Sequence, residues 1–200
     1  MLMLRKNQIN RGLALAFLLM SAPLFAQPFC SLRDPVSIID KMVPQSDSFR
    51  SSVVNINNKM RNELIAETGI TMHRQELGYH TLYYVDDGDE SETIIHVRPE
   101  ATRWGITEIA WSISSDGSIL GYEFQRCRAS SCDNLSSASL FANVPVLDGD
   151  SLAGLLADDH KKLSPQGLEQ LTFPAGSDAL VVSLIRSGIK AAALIKHTNS

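Results

Sequence analysis

The sequence is short of cysteine and positive charge, and each shortage removes a class of function. Three cysteines in 200 residues, none of them in a CxxC pair, leave no thioredoxin-type redox motif and no paired zinc-ribbon spacing. Lys and Arg number 18 against 22 Asp and Glu, too few for the clustered basic surface that grips nucleic acid or anionic lipid. The apolar run at 12–20 falls short of the about 20 residues that an ordinary membrane span takes. HExxH, GxSxG and P-loop patterns are all missing, so no catalytic signature of those kinds is written into the chain.

What the chain does carry begins with an export signal. Arg5, Lys6 and Arg11 make a basic start, 12–20 an apolar core, and Pro23 and Ala26 suit cleavage before Gln27. The expected organisation is a signal peptide over 1–26 and a single domain over 27–200, located in the periplasm or secreted. The signal holds three basic and no acidic residues, so the mature chain would carry 15 basic and 22 acidic groups. With no further span expected, it would be free of the membrane and not directed to nucleic acid.

The segment 78–132 organises the remainder. Four β-rich runs, 79–85, 92–98, 106–113 and 118–127, are separated by turn signals that include Asp87-Gly88 and Asp116-Gly117. Thr107, Ile109, Trp111 and Ile113 alternate with Ile106, Glu108, Ala110 and Ser112, giving one apolar and one mixed face. Alternation in the last run places Leu120, Tyr122, Phe124 and Arg126 together. A weaker strand is expected over 49–56.

Helices flank this meander. Asp34-Pro35 opens a short one marked by Val36, Ile39 and Val43; Asn57 or Asn58 caps a second that Gly69 stops. Beyond a serine-rich loop, Asp150 and Ser164-Pro165 begin two short helices. The longest is expected to be capped by Asp178, with Val181, Leu184, Ile185, Gly188, Ala192 and Ile195 as its buried stripe and Lys190, Lys196 and His197 favouring its C-terminal half. The fold class is α+β: an antiparallel β-meander sheet with helices packed on one face and a C-terminal helix closing the domain.

Three sets of residues are candidates for chemistry. His80 and His96, on adjacent strands, can meet across the sheet, but no third metal ligand joins them. In an oxidising compartment two cysteines should pair: Cys127 with Cys132 through a short local loop, or Cys30 with either. Arg98, Arg103, Arg126 and Arg128, with Trp104 and Trp111 beside them, suit a ligand bearing a phosphate and a planar ring. The competing reading pairs those arginines with Glu100, Glu108 and Glu123 across the strands.

A resemblance bears on that choice. The passage ITEIAWSISSDGSILGYEFQRC followed by PAGSDALVVSLIRSGIKAAAL resembles the FMN-binding domain of exported electron-transfer flavoproteins. In that family a Ser-Gly-Ala-Thr motif opens the last helix and its Thr carries FMN through a phosphoester. Here the corresponding residues are Ala175-Gly176-Ser177-Asp178, and an aspartate forms no stable phosphoester of that kind. Ser177, the nearest hydroxyl, is one place out of register. The resemblance therefore implies non-covalent FMN, with Arg98, Arg103, Arg126, Arg128 and Ser177 toward the phosphate and Trp104 or Trp111 near the ring. It implies a periplasmic electron carrier with a redox partner, or a flavin-free assembly partner on the same fold. The stretches ELGYHTLYYV, HVRPEATRWGITEIAW and FQRCR are also similar to a group of exported bacterial proteins to which no activity attaches.

Overall fold

The computed structural model describes residues 35–44, 46, 48–86 and 92–199. The expected signal peptide, Asp34, Cys30 and the Asp87-Gly88 turn lie outside these residues. Five strands form one antiparallel sheet in the order β1-β2-β3-β4-β5: β1 (Ser48–Ile56), β2 (Gly78–Asp86), β3 (Glu92–Thr102), β4 (Gly105–Ser114) and β5 (Ile119–Arg126). Consecutive strands are neighbours throughout, so the sheet is a meander. The α+β class stands.

Six helices accompany the sheet among the described residues: α1 (Pro35–Met42), α2 (Asn58–Thr68), α3 (Ser137–Leu140), α4 (Gly149–Gly154), α5 (Pro165–Gln170) and α6 (Asp178–Asn199). Their ends follow the sequence signals in α2 and α5, while the caps of α4 and α6 lie earlier than expected. The Asn57 side chain accepts from the Lys59 and Met60 N–H groups to start α2, and Gly69, at φ 68°, ends it. Asp148 rather than Asp150 caps α4, in a reciprocal arrangement with Ser151. Ser164 caps α5 and Pro165 takes its first position. Helix α6 starts at Asp178, and the Ser177 carbonyl accepts its first turn's bonds from Leu180 and Val181. Ser177, not Asp178, therefore occupies the capping position.

Helix α6 packs on the face that carries Ile94, Ile109, Trp111 and Ile113, and its stripe from Leu180 to Ile195 fills the main core with them. Burial of apolar area of this kind is the principal stabilising term. Gly188 is where helix and sheet come closest. A Cβ there would lie 2.7 Å from both the Trp111 ring and Leu152. The short α1 lies on the opposite face, where Ile38 and Ile39 pack with Val85, Ile95 and Ala110; Val36, expected on its buried side, is exposed.

Strand β5 departs from simple alternation. Its pairing with β4 shifts register between Glu108 and Ile109 and again between Ser112 and Ile113. Ile119, Tyr122 and Phe124 thus share the helix face, while Leu120 is left exposed. Arg126 falls opposite Glu108 on the other face, with which it forms a 3.8 Å ion pair. Each bulge adds one residue, and one residue reverses the side on which everything after it projects.

Candidate functional site

The molecule's most unusual chemistry is buried where α6 crosses β3. Arg98 and Glu100 follow His96 at two-residue intervals on β3, so all three project toward the helix. Glu76 arrives from a 3-10 turn, Arg74–Glu76, that precedes β2. Lys190 descends from α6. Arg98 and Lys190 are 0 % and 1 % exposed.

The four charges balance and interlock. Arg98 donates to Glu76 Oε2 at 2.7 Å, Lys190 donates to the same oxygen at 2.9 Å and to Glu100 Oε2 at 2.6 Å. The other Glu76 oxygen accepts the His73 N–H at 2.9 Å. Burial pushes the Glu76 carboxyl up. The charges of Arg98 and Lys190 and these hydrogen bonds outweigh it, leaving the carboxyl below its ordinary range. Ionised groups so deep in a protein persist only when paired and hydrogen-bonded in this way.

The two histidines do meet. His80 Nδ1 lies 3.3 Å from His96 Nε2, and His80 Nε2 lies 2.9 Å from the Glu76 carbonyl oxygen. A carbonyl only accepts, so His80 carries its proton on Nε2 and its bare Nδ1 accepts from His96 Nε2–H. His96 Nδ1 is then an acceptor. It has no hydrogen-bond partner among the described residues, and neither do Arg98 Nε and Nη1. Burial first, then the Arg98 charge, lowers both histidines, His80 to about 4 and His96 well below its ordinary value. Both rings are neutral near pH 7. Among the described residues no three His, Cys, Asp or Glu side chains converge as a metal site would require.

The seven residues suggested for FMN do not come together. Arg98 is committed to Glu76 inside the cluster. Trp111 is fully buried beneath α6, its indole N–H donating to Ser187 Oγ at 3.1 Å. Ser177 is buried, with its hydroxyl unpartnered among the described residues. The other four lie toward one end of the sheet. Arg103 stacks over the Trp104 ring at 4.1 Å, Arg128 reaches within 3.7 Å of where a Gly105 Cβ would stand, and Arg126 faces Glu108. The rivals are distributed differently from the sequence expectation: Glu100 binds Lys190, and Glu123 binds Lys41 at 2.6 Å.

Among the described residues two cavities open clear of these seven. One, about 440 Å³, is rimmed by Glu67, Asp116, Asp148, Asp150 and Lys196 near the end of α6. The second, about 300 Å³, is lined by His73, Gln75, Glu76, Pro99, Ala101 and Ile106. None of the seven lines either cavity, and the carboxylates of the first repel a phosphate. Cys127 and Cys132 are bonded to each other, with Cα atoms 6.4 Å apart. No helix among the described residues is long and apolar enough to cross a membrane.

Glu76 and Lys190 were not among the sequence candidates. Lys190 carried a signal: with Arg186 it is one of two charges in the predominantly apolar stretch 180–195. Comparison with protein-family models and with curated proteins finds no match to this chain.

Proposed function

We propose that the protein is an exported, flavin-free binding or assembly protein that acts in the periplasm. One observation carries the reading: two of the residues expected to hold a ligand, Arg98 and Trp111, are already occupied as structure. Arg98 is closed into an ion cluster with Glu76, and Trp111 is sealed under Gly188 with its N–H bonded to Ser187. Freeing Trp111 for a cofactor would open the main core, and freeing Arg98 would remove a partner from the buried Glu76 carboxylate. The sheet also offers a surface suited to macromolecular contact. Phe49, Val53 and Tyr79 are exposed on the side of β1 and β2 away from α6.

A second reading has its own support. Arg103 lying on Trp104, with Arg128 close to the same turn, gives a surface where FMN could stack non-covalently and be held by its phosphate. The absorption spectrum of protein purified from its own export compartment separates the two. A colourless protein supports the assembly reading; flavin bands at one per chain support the electron carrier.

A further inference from the structure

We propose that the partner at the β1 edge is a second copy of this chain, joined by antiparallel pairing of β1 with itself. The proposal rests on the assembly reading and names its partner.

Strand β1 is the outer strand of the sheet, and its first six residues are all exposed. Every second residue of such a strand turns its N–H and C=O outward, ready to pair with another chain. Proteins that stay monomeric protect an edge with bulges, proline, lysine or short length. Within β1 itself none of these four is present. β1 runs nine residues, Ser48–Ile56, in unbroken register with β2, and contains neither Pro nor Lys. Its one charge, Arg50, is held against Glu92 at 2.8 Å and lies over the Tyr84 ring at 3.9 Å.

The sequence of β1 is self-complementary about Ser51. Two-fold pairing on that residue sets Ser51 against Ser51, Arg50 against Ser52, Phe49 against Val53 and Ser48 against Val54. Phe49 and Val53 are 41 % and 61 % exposed in the single chain. The symmetry joins them twice as aromatic–β-branched cross-strand pairs, a favoured combination. On the same face Phe49 already meets the Tyr83 ring edge-on, with centroids 5.9 Å apart, so the apolar strip continues across the seam. No like charges face each other directly, because each Arg50 meets a serine and keeps its own Glu92. The interface is isologous, as a two-fold dimer requires.

Sedimentation velocity on the mature protein tests this. Association should appear as concentration rises to about 200 µM, the range suited to a seam near the small end of specific interfaces. Val53→Lys should weaken it by about tenfold or more; since Val53 is exposed, circular dichroism and thermal midpoint should not change. In a Cys30→Ser background, Ser51→Cys should form a covalent dimer on mild oxidation, and Ser52→Cys, which faces Arg50 of the second copy, should do so far less. A monomer throughout the concentration range, a dimer indifferent to Val53→Lys, or equal cross-linking at 51 and 52 would overturn the seam. These outcomes are separate from the fate of the flavin-free reading, since FMN uptake would overturn that reading and leave the seam as measured.

Discussion

The Lys190 ammonium lies 2.6 Å from the Glu100 carboxylate, with both side chains closed to solvent. The contact ties α6 to β3 at the centre of the fold, and Glu76 joins it through the same ammonium at 2.9 Å. Removing one charge leaves its partners buried and uncompensated. Lys190→Met is expected to destabilise the protein by about 3–5 kcal/mol. Adding Glu100→Gln should recover part of that loss, because Glu76 and Arg98 then balance alone. Urea unfolding of the two variants checks this. A loss under about 1 kcal/mol for Lys190→Met would show that the cluster contributes no more than a surface pair.

The histidine pair makes stability depend on pH. Unfolded His80 takes up its proton near the ordinary 6.5, and folded His80 only near about 4. Between those values the unfolded chain binds more protons, so stability rises with pH. The contribution is present in full above about 6.5 and lost as pH falls toward 4, on the order of 3 kcal/mol over the window. His96, lowered by the same causes, acts with the same sign. Glu76 adds to it at lower pH. Its folded value is below 4.5, so its contribution is lost as pH falls through that folded value. Arg98, Lys190, Glu76 and Glu100 are the charges around the pair. Denaturation at pH 7 and pH 5 should give a clear drop at the lower pH; equal stability would contradict the neutral, buried assignment.

Gly188 sits where no side chain fits. Alanine would gain about 1 kcal/mol in helix propensity, but its Cβ would meet the Trp111 ring and Leu152 at 2.7 Å. Overpacking of a filled core costs about 1–3 kcal/mol, so Gly188→Ala should lower the urea midpoint. Near-ultraviolet circular dichroism should report a displaced tryptophan. A raised midpoint would mean that the helix and sheet can separate freely.

The Cys127–Cys132 bond closes a short loop at the end of β5. Replacing both residues by serine should cost about 2 kcal/mol in the chain-entropy account. Peptide mapping of mature protein should find this pairing, with Cys30 outside it. A Cys30 bridge to either cysteine would contradict it.

Much of the fold was legible because local signals agreed with one another. Asn57 and Gly69 mark the ends of α2, the alternation over Thr107 to Ile113 puts Ile109, Trp111 and Ile113 on the helix face, and Gly188 announces a close approach. The bulges in β5 were not legible, since the inserted residues Leu120 and Gln125 differ in no local way from their neighbours; only the cross-strand register reveals them. The candidate site was legible in part. His80 and His96 could be matched from adjacent strands. The pairing of Arg98 with Glu76 depends on a 3-10 turn placing a carboxylate under the sheet, and no spacing rule connects residues 22 apart. Lys190 looked like a charge complementing the end of α6, whereas the helix crosses the sheet so that this lysine meets Glu100, 90 positions earlier.

The flavin-free reading is tested most directly by titrating the refolded mature protein with FMN and following flavin fluorescence. With Arg98 and Trp111 committed inside the fold, the protein should leave the fluorescence unchanged up to near-millimolar FMN, and Arg103→Ala with Arg128→Ala should alter nothing. Saturable quenching at one FMN per chain, weakened more than about tenfold by that double change, would contradict the account and establish a non-covalent flavin carrier.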